Sequence, residues 1–498
     1  MKSKLEKSMN WVAYIFQIIT SIVLLYMLYT IKFVPARYIM IGGIVLLGLL
    51  IGEYFLIFYK KPKSKRSIIT QVFSVLLSCV MIVASFYVYK MGSVVDLLSA
   101  ETFQKRAISV IVLKESDIRN ERQLPKHNVG YVASVNTEAM DYAKKGIEKE
   151  IGNISLTDYK DFHELLDALY TQKVDGIILD EAFRALIDQD KKTFDEDTRV
   201  IYQILKDEGS ISAKNVDVTT KPFLTYVSGN DQYGDISTIS RSDVNMLIAI
   251  NPTTHQVLLI SIPRDVYYPL HRNGQLDKFT HTGVYGLQES IDTLQDIMSE
   301  EINYYARMNF TSFIKIVDAI GGITVNSPAD FTTKIGNFDI KKGENVLNAK
   351  EALAFVRERK SFIDGDFARG RNQQRMIAAI LKKVCSPAIL TSFSAVLDTV
   401  SESVETNLSS DDINALVQIQ LSDMPSWDIQ SYQIMGDPMK KPCYSLGGRE
   451  ASVVLPYDSS IEQARQYIDD LMAGKIIETE DGNLNEKTDA DDNNDSQE

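Results

Sequence analysis

The chain is poor in the residues most often used for covalent and metal chemistry. Its 498 residues include three cysteines, five histidines and two tryptophans. Cys79, Cys385 and Cys443 show no metal-ligand spacing, which excludes a cysteine-based zinc site. Cys385 and Cys443 can pair in an oxidising compartment; the alternative is two small, buried free thiols. There is no Gly-rich phosphate loop and no serine-hydrolase elbow. Positive charge is also short, with 53 Lys and Arg against 66 Asp and Glu and a net charge of -13. That balance leaves no general nucleic-acid footprint. Much of the deficit lies in residues 476–498, where nine acids face Lys487 alone. Such a tail has too little apolar surface to offset the entropy of ordering, and it is expected to be disordered.

Long apolar runs, by contrast, are plentiful at the start. Trp11–Ile31, Tyr38–Tyr59 and Ile68–Tyr89 are each about 20 residues, enough to cross about 30 Å of hydrocarbon. No small-residue cleavage site marks the first as a removable signal. Glu53 falls near the end of the second run and reads either as an intramembrane polar site or, as its position favours, as a group snorkelling to the interface. Lys2, Lys4 and Lys7 precede the first run, and Lys60, Lys61, Lys63, Lys65 and Arg66 separate the second from the third. The first loop carries only Lys32 and Arg37. The basic residues predict a multi-pass protein of the cell membrane with a cytoplasmic N-terminus and everything beyond about Lys90 outside.

The remainder alternates strand and helix patterns and predicts an α/β fold. ISVIVL, NVGYVA and VDGIILD read as strands, with helices over Thr137–Gly152 and around Phe162, Leu165, Leu166 and Leu169. A polar, turn-rich stretch follows, then FLTYVSG and a hairpin of VNMLIAIN with QVLLISI. Helices are expected over Val284–Ser299, Phe310–Ile320, the segment after Asn348, and Asp366–Val384, the last strong one. The expected divisions are three spans in 1–91, a small accessory α/β domain in 92–215, a larger domain in 216–475 and the tail in 476–498. Polar positions after the accessory strands can bind a ligand, and a spacer or interaction role is equally compatible.

One stretch runs against the overall acidity: FVRERKSFIDGDFARGRNQQR, Phe355–Arg375. Asp366, Arg369 and Gln373 share one face of a helix, at i, i+3 and i+7, and the N-terminal end of that helix suits an anion. Arginine forks match phosphate oxygens. Asp243 and Asp366 offer the hard oxygen donors that Mg²⁺ takes alongside phosphates. Arg264 follows a strand end, where α/β sheets bind ligands. Together these suggest a pyrophosphate held with a divalent cation; a solvated network of surface ion pairs remains the competing reading of the stretch. His281 is given no role.

RSDVNMLIAINP, LLISIPRDVYY, DKFTHTG, FTSFIKIVDAIGGITV and ALAFVRERK…DGDFARGRNQQR, in that order, resemble the LytR–CpsA–Psr (LCP) family of bacterial cell-envelope proteins, on its CpsA-type capsule branch. The resemblance implies an αβα domain with a central mixed sheet. It implies Mg²⁺-dependent transfer of a capsular or other wall glycopolymer from a polyprenyl-pyrophosphate lipid to peptidoglycan. By motif match, Arg241, Arg264, Lys278, Arg357, Arg359, Arg369 and Gln373 contact the pyrophosphate. Arg264, Arg357, Arg359 and Asp366 carry catalysis, with Asp366 accepting the acceptor's proton. Asp243 and Asp366 hold the metal, with Asp231 as a looser match. Leu287, Leu294, Phe310, Phe313 and Ile316 are candidates for a lipid-tail slot, and each also reads as ordinary core. The alternatives are a non-catalytic regulator of capsule synthesis that signals to export proteins, or a pyrophosphatase.

Overall fold

A computed structural model describes residues 2–32, 34–58, 64–98, 104–230, 236, 238–387, 389, 393–482 and 484. Three helices, Lys2–Thr30, Ala36–Phe58 and Ser64–Leu98, contain apolar stretches long enough to cross a membrane. The third runs past the expected limit at 91. Glu53 corrects an expectation, since it is 3 % exposed and lies beside Gln17 and Ser74 rather than reaching outward. Gln17, Ser74 and Ser78 all face the bundle interior, and Ser74 Oγ donates to Gln17 Oε1. Polar groups in hydrocarbon find partners between helices, so the carboxyl group stays within the bundle. Lys60, Lys61 and Lys63 lie outside the described residues.

The first α/β unit is a five-stranded sheet in the order Ser155–Asp158, Asn128–Tyr131, Gly176–Asp180, Lys105–Leu113, Thr198–Asp207. Its first three strands are parallel; Lys105–Leu113 is antiparallel to both of its neighbours. The helix Thr137–Glu150 starts at Asn136, whose side chain caps Ala139 N–H. Phe162–Tyr170 starts at Asp161, which accepts from Glu164 N–H. Both match the preference for short polar acceptors at helix starts.

The second unit is built on a six-stranded mixed sheet in the order Glu405–Thr406, Tyr304–Asn309, Phe223–Asn230, Val244–Asn251, Gln256–Ser261, Asp428–Gln433. The expected hairpin is present, with Met246 opposite Ser261 and Asn251 opposite Gln256. Side chains alternate between faces along each strand. Leu224, Tyr226, Leu247, Ala249, Leu258 and Ile260 meet the helices Leu287–Met298 and Asp458–Met472. Val227, Met246, Ile248, Val257 and Leu259 face the other way, toward Asp366–Val384. The result is a three-layer αβα sandwich.

The C-terminal third departs most from expectation. Asp366–Val384 is followed by the helices Phe393–Ser403, Ser410–Asp423 and Asp458–Met472. The edge strand Asp428–Gln433 reads DIQSYQ, a polar pattern, yet Ile429–Gln433 are all buried. Its polar groups are met by the start of the tail. Thr479 Oγ1 donates to Ser431 O at 2.6 Å, and Gln433 N donates to Asp481 Oδ2 at 3.0 Å. Ile477 is 4 % exposed. Residues 477–482 therefore pack along the edge strand rather than forming part of a disordered tail; residues 485–498 lie outside the described residues. Cys385 and Cys443 are both free, as is Cys79.

The two α/β units share a core. Phe183, Leu186 and Leu169 of the first pack with Tyr267, Val284, Cys443 and Val453 of the second. Arg106, 2 % exposed, ties the units together. Its Nη1 pairs with Asp180 at 2.7 Å and donates to Val284 O at 2.9 Å. Nη2 donates to Tyr285 O at 2.9 Å, and Nε pairs with Glu208. Truncating one member of a buried ion pair strands the other, typically at about 3–5 kcal/mol. Arg106→Ala is therefore expected to lower unfolding stability by about that amount, measured as a shift in the denaturant midpoint of the solubilised protein. An unchanged midpoint contradicts the junction.

Candidate functional site

The strands Phe223–Asn230, Gln256–Ser261, Tyr304–Asn309 and Asp428–Gln433 all end at one edge of the second sheet, where Val244–Asn251 begins. The carboxyl edge of such a sheet is where α/β folds place ligands. Chain segments leaving this edge carry the charged residues singled out above.

Arg264 is central. It follows Ile262 and Pro263 at the end of its strand, and its Nη1 donates to Asp243 Oδ1 at 2.9 Å. Its Nε lies 3.8 Å from Asp366 Oδ1, and Arg369 Nη2 reaches the same oxygen at 2.8 Å. Thr280 Oγ1 also donates to Asp243 Oδ1, at 3.3 Å. Lys278 Nζ bonds Asp265 Oδ1 at 3.2 Å, beside Arg264. Burial works to lower the Arg264 pKa, but Asp243, Asp265 and Asp366 outweigh it and hold the guanidinium above its ordinary value. For Arg369 burial wins: its pKa is lowered, with Arg264 and Arg359 adding repulsion against the attraction of Asp366 and Asp243. Desolvation disfavours the charged form in just this way. The structure thus brings Asp243, Arg264, Lys278, Asp366 and Arg369 together, with Arg359 within electrostatic reach.

The helix Asp366–Val384 is drawn against the sheet edge at Gly370. A Cβ there would overlap Gln433 Nε2 and lie 2.9 Å from Ser261 Oγ. Gln374, one turn on and 2 % exposed, donates from Nε2 to Leu259 O and Tyr432 O at 2.9 and 2.8 Å. These contacts aim the helix start, with Asp366 and Arg369, at Arg264. Gln373 is half-buried one turn beyond Arg369. Arg371 bonds Gln433 Oε1 at 3.1 Å and pairs with Asp364. Arg375 is pushed down to about 10 by burial, with Arg371 adding to the shift.

Other expected members stand apart. Arg357, at the end of Ala349–Arg357, stacks its guanidinium 4.3 Å from the centroid of the Phe310 ring. Arg241 lines a small polar cavity with Asn230, Ser240 and Arg307. Asp231 lies outside the described residues. The five lipid-slot candidates do not form one slot. Leu287 and Leu294 pack on one face of the sheet. Phe310 and Phe313 belong to the cluster around Phe355 and Met376, alongside Asp366–Val384, and Ile316 is buried on the same helix as Phe313. Apolar periodicity marks the inward stripe of each helix, but not the layer into which the helix packs.

Two contributors were not read from the sequence. Glu358, 4 % exposed, accepts backbone N–H bonds from Lys334, Arg359, Lys360 and Ser361 at 2.6–3.1 Å. It shapes the loop carrying Arg359. The other is Ser445, bonded to Asp277 and His281. Neither has a local motif; Ser445 is distant in sequence from its partners, and Glu358 bonds main chain.

The donor set fits Mg²⁺ completed by phosphate oxygens. Asp366 Oδ1 is buried with no hydrogen bond, only the two guanidinium pairings. Among the described residues no group of three or more His, Cys, Asp or Glu could hold a metal ion, so two carboxylates would need further oxygens from a ligand.

A model of the LytR_cpsA_psr family matches residues 187–455. The chain is 34% identical over 212 residues to the polyisoprenyl-teichoic acid–peptidoglycan teichoic acid transferase TagU of Bacillus licheniformis, covering 42% of this chain and 63% of that protein. It is 34% identical over 221 residues to TagU of Bacillus subtilis, covering 44% and 66%. The chain spans just under two thirds of the length of these two relatives. It also aligns with the crystal structure of B. subtilis TagV at 26% identity, covering 52% of this chain and 99% of that one, with a TM-score of 0.44.

Burial opposes the charge of Glu358, but its four N–H donors outweigh it and hold the carboxyl below its usual value of 4.5. The ionised form therefore stabilises the fold above pH 4.5, and that contribution is lost as the pH falls through the lower folded value. Glu358→Gln is expected to cost about 2 kcal/mol near neutral pH. The gap from the wild type should shrink below pH 4.5, as read from denaturant titrations at several pH values. A gap independent of pH contradicts the assignment.

Proposed function

Because the chain belongs to the LytR_cpsA_psr family, we propose that it transfers a capsular or other wall glycopolymer from a polyisoprenyl-pyrophosphate lipid to peptidoglycan outside the membrane. The observation that carries this reading is the convergence of Arg264 and Arg369 on Asp243 and Asp366 at the sheet edge, with Lys278 paired to Asp265 beside Arg264. These cations are already desolvated and held in place, so neutralising a diphosphate needs little reorganisation.

The orientation fits a membrane-bound donor. Lys32 pairs with Asp411 at 3.0 Å and Arg37 with Asp423 at 3.4 Å, while Lys90 pairs with Asp398. The first loop and the end of the third span are thus on the same side as the second unit. A lipid anchored in that leaflet keeps its tail in the bilayer and presents its phosphates to the site.

In the proposed step a sugar hydroxyl of peptidoglycan attacks the phosphorus bonded to the glycan. A new O–P bond forms and the bridging P–O–P bond breaks, so the lipid leaves as its monophosphate. Arg264, Arg369, Arg359 and Lys278 hold the diphosphate and take up the charge developing on the leaving oxygen. Arg357 ends the helix Ala349–Arg357, and Gln373 lies two turns into Asp366–Val384. Once the guanidiniums engage phosphate, Asp366 is released to accept the hydroxyl proton. Asp243 and Asp366 would hold Mg²⁺ together with phosphate oxygens, and the ion would supply further charge neutralisation there.

The test uses the full chain in detergent with a polyprenyl-pyrophosphate-linked oligosaccharide and peptidoglycan fragments. Turnover should require Mg²⁺, should stop with EDTA, and should fall about 10²–10³-fold in Arg264→Ala. Mg²⁺-dependent turnover that Arg264→Ala leaves unchanged sinks this site. Lipid binding without any transfer favours a regulator, and release of both phosphates to water favours a pyrophosphatase.

A further inference from the structure

In the first sheet the parallel strands Asn128–Tyr131, Ser155–Asp158 and Gly176–Asp180 end at a common edge. Open α/β sheets bind ligands at such an edge. Here the protein fills it with its own chain. The short turn Tyr444–Leu446 closes the hairpin of Gly436–Pro442 with Glu450–Pro456, and Tyr444 OH donates to Ser134 O at 2.6 Å. Gly447, at φ +66°, comes so near that a Cβ would lie 2.5 Å from the Asp161 Cβ. Asp180, at the end of its strand, is taken by Arg106 and Asn136. The first unit grips a loop of the second at the place where a ligand would otherwise enter.

The other side of that turn meets the DKFTHTG segment. Ser445 N–H donates to Asp277 Oδ2 at 2.7 Å. Ser445 Oγ lies 2.6 Å from His281 Nδ1, which is 2.7 Å from Asp277 Oδ1. Asp277 and Ser445 are 0 % exposed and His281 2 %, so water cannot replace a lost bond. The trio is not a nucleophile relay, because serine and carboxylate address the same ring nitrogen. It is a latch on the segment that carries Lys278 and Thr280. That segment is also tied to the cluster: Thr280 N donates to Arg264 O at 2.8 Å, Thr280 Oγ1 to Asp243, and Lys278 to Asp265.

We infer that Ser445 is a positioning residue for the donor's diphosphate, and that the first α/β unit serves the site by clamping the turn that carries Ser445. This rests on the diphosphate reading given above. Ser445 acts through Asp277 and His281 on Lys278, and it touches no member of the charged cluster directly.

The test titrates the full chain in detergent with geranyl pyrophosphate and reads affinity by calorimetry for the wild type, Lys278→Ala, Ser445→Ala and the double variant. Ser445→Ala should weaken binding about tenfold, and the double variant should bind within about twofold of Lys278→Ala alone, because residues acting in series do not add. A role in overall stability would instead multiply the two losses, and that result, or an unchanged affinity in Ser445→Ala, overturns the inference. Tyr444→Phe removes only the hydroxyl that reaches Ser134 and leaves the buried latch intact. It should weaken binding several-fold, and an affinity equal to the wild type overturns the clamp. If the wild type does not bind the probe, or Lys278→Ala binds as the wild type does, the diphosphate reading itself fails and the inference falls with it. A loss in Lys278→Ala without one in Ser445→Ala leaves that reading standing and removes only the inference.

Discussion

The guanidinium of Arg264 between Asp243 and Asp366 is the interaction around which the second unit is arranged. Charges gathered at a half-buried edge are tolerable only when each finds an opposite partner, since desolvation otherwise outweighs attraction. Without a ligand the cluster neutralises itself, and Arg369 shares the Asp366 oxygen that Arg264 also faces. Under the proposed function, a diphosphate would replace one set of balanced pairs with another. The edge is therefore charge-balanced as it stands.

The layers around that edge follow from the same demand. Gly370 lets the helix start approach the sheet closely enough for Arg369 and Asp366 to reach Arg264. Gln374 then locks the helix by satisfying two strand carbonyls. Two hydrophobic layers, one on each side of the sheet, keep the strand ends in register. The first α/β unit does not hang beside this assembly as a separate bead. It shares a core with it and closes over Arg106, whose guanidinium donates to two carboxylates and two main-chain carbonyls.

Much of this was legible in the chain. The spacing of Asp366, Arg369 and Gln373, the strand end before Arg264 and the strand start after Asp243 suggested either an anion site or a network of ion pairs, because helix and strand periods convert spacing into direction. The element order gave an α/β fold, and the αβα layering came with the family resemblance. What could not be read depends on partners far apart in sequence. The strand Asp428–Gln433 was not read, because its polar sequence finds the groups that satisfy it only in residues 479–481. Ser445 stood out in no motif, since its partners are more than 160 positions earlier. Leu287 and Phe313 each showed an inward face, yet the side of the sheet that each helix takes is set by its chain crossover, not by its periodicity. Glu53 was misplaced because the polar stripes that receive it lie on the other two spans.

The third N-terminal helix leaves its apolar stretch without a break and ends at Leu98. At 1.5 Å per residue its 35 residues measure about 52 Å, well beyond the thickness of about 30 Å of hydrocarbon. Val94 and Val95, near its far end, share a buried cluster with Leu397 and Ile413. The helix is thus docked on the second unit, so the charged edge is held at a set distance from the apolar stretch. That distance is then fixed by the length of one helix.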